Sequence, residues 1–197
     1  MIRYTFSILV LVLVAVIAQQ FIPSLTVLYG SRFLLLALVF LCAAVTVPVP
    51  VMLLLAFVCG FLTDAQNTIG PHGGDPEVYT RTVEQLRFGY SILLYGFMGY
   101  LMHGIQPLFR QGQWQFSAML SGVAVFLYLL VEYFLINFIR GGFVMNQTVL
   151  LKIACSSAIT MTFSPLIFWL LFRLADWSGY TIRMDGLKKE KPRTLTA

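Results

Sequence analysis

An all-α integral membrane fold is what this sequence predicts, on two observations. The first concerns solvent. The 197 residues are 59% hydrophobic and 11% charged, with a mean hydropathy of +0.85, whereas a soluble domain has about 25% charged and about 45–50% apolar residues. Such a chain has too little polar surface to cover itself in water, so the bilayer is its expected solvent. The second concerns the spacing of charge. Segments 4–31, 33–63, 88–109, 111–131 and 153–172 contain no Asp, Glu, Lys or Arg, and a helix needs about 20 mostly apolar residues to cross the hydrocarbon.

The first span is expected over 4–22, stopping near Pro23. Arg3 followed by an apolar run to Val16-Ile17-Ala18 also has the form of a signal peptide. Because further spans follow, an uncleaved first helix is the preferred reading. Segment 33–63 would be about 46 Å long as one helix, and Pro48-Val49-Pro50 interrupts its middle. Proline removes a helical hydrogen bond and disfavours α geometry in the residue before it. The segment is therefore either one long kinked helix or two short ones over 33–47 and 50–64. Two short helices would span less than the hydrocarbon core, so they would thin the bilayer or be shielded by neighbours.

Segment 64–88 is the longest polar stretch, and its Gly and Pro residues between Gly70 and Pro76 mark a loop. A span over 88–104 follows, with Gly89, Gly96 and Gly99 on one face. Small residues let helix backbones approach closely in lipid, so this face serves either internal packing or a partner helix. Trp114 fits an interfacial belt. The fifth span, 116–138, carries Glu132 and Asn137. The last, 149–174, contains Pro165 and precedes a basic tail over 178–197 with Arg183, Lys188, Lys189, Lys191 and Arg193. That tail either meets an anionic leaflet or only fixes topology.

Six helices put both termini on one side, together with eight Lys and Arg residues against five opposite. The positive-inside tendency assigns that side to the cytoplasm. A five-helix count gives the same division, with Arg3 and Arg32 exchanging sides. Charge thus places the C-terminus inside without fixing the number of spans.

Catalytic motifs are absent from the sequence. There is no HExxH, no GxSxG and no phosphate-binding loop. His72 and His103 lie 31 positions apart, and Cys42, Cys59 and Cys155 each sit in an apolar run without CxxC spacing. The expectation is a protein that is not an enzyme, with no cofactor, metal or disulfide. Glu132 is the acidic residue placed well inside a span, where a bare charge near the bilayer centre costs about 2.5–3.5 kcal/mol on insertion scales. With the turn at Phe143, Glu132 and Lys152 fall at nearly the same depth on antiparallel helices, which predicts an ion pair. The functional alternative is a polar contact in a ligand or partner site.

Five segments in order resemble the MreD family, the small membrane component of the bacterial rod-shape machinery. They are GSRFLLLALVF, CGFLTDAQN, FGYSILLYGFMGYL with LFRQ, VEYFLIN and SPLIFWLLFRL. The likeness covers about residues 5–177, and their order carries it. The loop over 70–87 and the tail after Asp176 are longer than the family's usual. The resemblance implies a six-transmembrane-helix bundle similar to the S components of energy-coupling-factor transporters, which favours two helices over 33–64. It also implies a non-enzymatic scaffold in the bacterial inner membrane. The implied partners are the single-pass protein MreC and, through it, MreB, RodA and the transpeptidase partner of RodA. The competing reading is the substrate-binding membrane subunit of a vitamin-type transporter, with Glu132, Asn137, Tyr128 and Trp169 as possible pocket groups. On the two-helix reading Asp64 ends the third helix. It is then expected to cap the following turn, AQNTIG, to pair with Arg32 or Arg81, or to contact a partner directly.

Overall fold

The computed structural model describes residues 2–22, 33–69, 88–106, 114–140 and 147–180. The 70–87 loop with His72 and Arg81, Arg32, and the basic residues of the tail lie outside them. The described residues form seven helices and no strand. In chain order these are α1 Ile2–Phe21, α2 Leu35–Thr46, α3 Val49–Ile69, α4 Tyr90–Gly104, α5 Trp114–Arg140, α6 Gln147–Thr162 and α7 Ser164–Ser178. Four segments are long and apolar enough to cross a membrane: α1, Val49–Gln66 of α3, Ala118–Phe138 of α5, and α6 with α7 taken together as Gln147–Ser178. This is the pattern of a multi-pass membrane protein.

Both proline-bearing stretches break the chain. Val47 is extended between α2 and α3, immediately before Pro48. Phe163 interrupts the last span, and Pro165 occupies the first turn of α7, where a missing N–H costs nothing because that donor has no helical partner anyway. The expected last span of 149–174 is thus two helices in series. The third helix runs five residues beyond Asp64, so AQNTI is helical rather than a turn.

α2 is the centre of the bundle, in contact with each of the other six helices. From Leu36 to Thr46 every residue is buried. Its 12 residues extend only about 18 Å, well short of a ~30 Å hydrocarbon core, and its neighbours cover it instead. A helix apolar on every side either faces lipid or is fully enclosed; α2 is enclosed. Phe40, Leu38 and Leu41 meet Met52 and Leu55 of α3, Met98 of α4, and Phe168 and Leu171 of α7 in one core.

An enclosed short helix leaves orphan backbone groups at both ends, and in lipid no water is there to satisfy them. Side chains from other helices do so. The Leu36 N–H donates to Oε1 of Gln19 on α1 at 3.0 Å, and the Leu34 N–H reaches Oγ1 of Thr160 on α6 at 3.5 Å. At the other end, Nε2 of Gln106 donates to the Val45 carbonyl at 3.1 Å. The Tyr4 hydroxyl donates to Thr46 Oγ1 at 3.0 Å, and that hydroxyl donates on to the Ala43 carbonyl. Gln19→Leu should therefore lower the unfolding temperature of the detergent-solubilised protein, by the equivalent of about 1–3 kcal/mol for one orphaned buried donor. Gln20→Leu, on the exposed side of the same turn, should leave it unchanged.

The helix following the proline break at Phe163 is tied in by polar contacts. Oγ of Ser164 lies 2.7 Å from Oγ of Ser121 on α5 and 3.7 Å from Sγ of Cys42 on α2. Past α7, the ring of Tyr180 stacks on Tyr4 with centroids 4.5 Å apart and planes 11° from parallel. The start of α1 and the end of α7 therefore meet at one end of the bundle.

Candidate functional site

The opposite end of the bundle gathers the C-terminal parts of α1, α3 and α5 and the N-terminal parts of α2 and α4. A cavity of about 390 Å³ opens there. Its polar wall consists of Gln19 from α1, Thr63 and Gln66 from α3, Tyr95 from α4, and Tyr128 and Glu132 from α5. Phe33, Leu34, Leu36 and Ala37, leading into and beginning α2, supply much of the apolar side. The arrangement follows from the helix directions. Most of these polar residues lie near the end of their own apolar runs, with Tyr95 set further inside α4, and alternating helices bring those ends together.

Aromatic packing fixes the cavity floor. Tyr95 and Tyr128 are both buried, with centroids 5.2 Å apart in a tilted pair. Phe40 of α2 meets the Tyr95 ring edge-on at 5.1 Å. The Thr63 hydroxyl donates to its own helix at the Cys59 carbonyl, 2.9 Å away, and lies 3.4 Å from the Tyr95 hydroxyl. Glu132 is half-buried at the rim of this aromatic floor. Among the described residues lining the cavity there is one carboxylate and no Lys, Arg or His.

The residues singled out from the sequence fall in several places. Glu132 and Tyr128 line the cavity, while Lys152 is exposed on α6. Asn137 is buried, and its Nδ2 donates to the Tyr133 carbonyl one turn back in its own helix. Trp169, at 65% exposure, points away from the interior. Gln19, Thr63, Gln66 and Tyr95 went unnoticed in the sequence. Polar side chains one turn from the end of an apolar run were the available signal for the first three.

Asp64 is 1% exposed, and its Oδ2 accepts the backbone N–H of Gly89 at 2.6 Å. Gly89 is the N-cap of α4, in a left-handed conformation at φ 98°, ψ −23°, and has no side chain to cap with. Asp64 thus does bind backbone, but at the start of the next helix rather than in the residues that follow it. A carboxylate there also faces the positive end of the α4 dipole.

Gly89, the N-cap of α4, and Gly96 and Gly99 within it do not share one face packed inside the bundle. A Cβ added at Gly96 meets nothing within 4 Å, and Gly89 is likewise open. Gly99 alone of the three is at a close approach, where a Cβ would lie 2.6 Å from Met52 Sδ and 2.7 Å from Phe40 Cζ. Among the described glycines the tightest backbone contact belongs to Gly60 of α3, where an added Cβ would collide with the main chain of Ile92.

No family model, curated protein or solved structure matches this chain.

Proposed function

We propose that the protein is a non-enzymatic scaffold of MreD type in the bacterial inner membrane, part of the rod-shape and cell-wall elongation machinery. It crosses the membrane six times with both termini in the cytoplasm. It binds an MreC-like single-pass protein and helps couple MreB to peptidoglycan synthesis by RodA and its transpeptidase partner. The observation that carries this reading is the ordered series of five segments resembling that family. Two of them, CGFLTDAQN and FGYSILLYGFMGYL, meet in space through the Asp64–Gly89 hydrogen bond and the Gly60–Ile92 contact, as expected of segments whose common purpose is one helix junction.

Two further features support the topology. The break at Val47 gives separate helices on either side of the proline pair, and the Tyr4–Tyr180 stack is what an even number of crossings produces. The work of a scaffold falls to its outer surface. Leu53, Phe57 and Phe61 on α3 and Leu93, Phe97 and Tyr100 on α4 are exposed apolar groups, suited to lipid or to a partner's transmembrane helix.

The polar cavity favours a second reading, a solute-binding subunit of a vitamin-type transporter, since small-molecule sites are commonly clefts of about 300–1,000 Å³. One experiment separates the two. Affinity purification of the tagged protein from native membranes in mild detergent is expected to bring down an MreC-like single-pass protein. Recovery of an energy-coupling ATPase in its place overturns the scaffold reading and leaves the transporter reading standing.

A further inference from the structure

We propose that the outward face at the end of α7 binds the zwitterionic headgroup of phosphatidylethanolamine, with its phosphate on Arg173 and its ammonium on Asp176. The face is defined by spacing. Leu166, Trp169, Arg173 and Trp177 recur every three or four residues along α7 and all are exposed. They form one stripe, turned away from the core residues Ile167, Phe168, Leu171 and Ala175. Asp176 is exposed on the same side, one turn beyond Arg173. α7 ends at Ser178 with a left-handed C-cap at Gly179, and Tyr180 closes that end of the bundle against Tyr4. Arg173 therefore lies about 7.5 Å inside the end of a segment long and apolar enough to span the membrane.

A charge that faces lipid is costly unless it reaches the interface, and the long arginine stem allows that reach. Tryptophans one turn to either side of Arg173, Trp169 at 65% exposure and Trp177 at 83%, suit the headgroup level. Neither Arg173 nor Asp176 forms an ion pair among the described residues. A cation that precedes an acid by one turn is in the less favourable order for a pair within a helix, which leaves both groups for an outside partner. The guanidinium fork matches a phosphate. The carboxylate accepts from an ammonium, about 4.5 Å further toward the end of the helix. That order is the lipid's own: the phosphate is next to the glycerol, and the ammonium lies two carbons beyond it, toward water. Phosphatidylglycerol offers no ammonium to Asp176, and phosphatidylcholine offers one without N–H donors.

This site depends on the membrane fold and not on the scaffold reading, and lipid retention is read out separately from partner capture. The purified full-length protein is placed in nanodiscs of equal parts phosphatidylethanolamine, phosphatidylglycerol and phosphatidylcholine, released, and examined by native mass spectrometry for retained lipid. One phosphatidylethanolamine per chain is expected, in preference to both others. Arg173→Gln and Asp176→Asn should each weaken that retention about three- to fivefold, the scale of one exposed charge pair. The exchanged variant, Arg173→Asp with Asp176→Arg, keeps the net charge and reverses its order, and should lose about tenfold. Lys152→Gln, at an exposed cation on α6, should change nothing. Thermal unfolding shows whether each variant is folded, and should the charge variants fail to fold, the three-lipid comparison on the unaltered protein decides alone. Retention of phosphatidylglycerol as strong or stronger would mean that Arg173, with the exposed Arg3 at the same end, serves a surface read by net charge. That result, equal retention of phosphatidylcholine, no retained lipid, or full retention in a folded exchanged variant overturns the proposal.

Discussion

Gly60→Ala is expected to lower the unfolding temperature of the solubilised protein sharply, while Gly96→Ala leaves it unchanged or slightly raised. The substitution is the same and the surroundings differ. At Gly60 the new Cβ would lie 2.6 Å from the Ile92 backbone nitrogen and 2.9 Å from its Cγ1. A flexible side chain can turn away from such a contact, but a main-chain atom in the first turn of a packed helix cannot. α3 and α4 would have to separate along the most extensive helix–helix contact in the bundle. Overpacking of this kind costs about 1–3 kcal/mol and sometimes more. In lipid there is little hydrophobic gain to offset it, because membrane helices associate largely through close packing. At Gly96 a Cβ enters open space, and alanine there removes a mid-helix glycine worth at most about 0.5–1 kcal/mol. Thermal unfolding of both variants in one detergent provides the comparison. Equal transitions for the two would mean that α3 and α4 do not approach as closely as Gly60 indicates.

The contrast between these glycines also marks how far sequence can be read. Uncharged runs located the helical regions, and the prolines at 48 and 50 flagged one place where the chain breaks; Pro165 was visible too, but the last span reads from sequence as one helix and is two. The fully apolar composition of α2 was visible, but its enclosure was not. In water a buried face announces itself by contrast with a polar one. In a bilayer both the lipid-facing and the protein-facing sides are apolar, so periodicity carries little information about neighbours. The same loss explains why sequence did not show that, inside the bundle, Gly99 and Gly60 are crowded and Gly96 is not: which glycine is crowded depends on which helix lies across from it. The cavity was half legible. Glu132 and Tyr128 stood out in the fifth span, but Gln19 and Tyr95 join them only through the crossing of α1, α2 and α4, and no local pattern encodes that crossing. The reach of Asp64 to Gly89, across 25 positions, is of the same kind.

Asp64→Ala is expected to destabilise the protein strongly and Asp64→Asn much less. The carboxylate is buried and accepts the Gly89 N–H in a short bond. Removing the acceptor leaves a backbone donor orphaned in an apolar setting. Hydrogen bonds to charged groups are worth about 1.5–3 kcal/mol, with a comparable penalty for a donor left unsatisfied. Asparagine keeps an acceptor oxygen at the same reach, so the bond survives without the charge. Because Gly89 provides no side chain of its own, this bond caps the start of α4. Amide hydrogen exchange in the first turn of α4 should accordingly rise in Asp64→Ala before global unfolding does, since local opening precedes the cooperative transition where a helix end is released. The pair of variants also separates fold from interface. Unaltered melting of Asp64→Asn, combined with loss of the co-purifying MreC-like partner, would assign the carboxylate to partner contact. Parallel loss of melting temperature and partner in Asp64→Ala, with both retained in Asp64→Asn, would assign it to the α3–α4 junction.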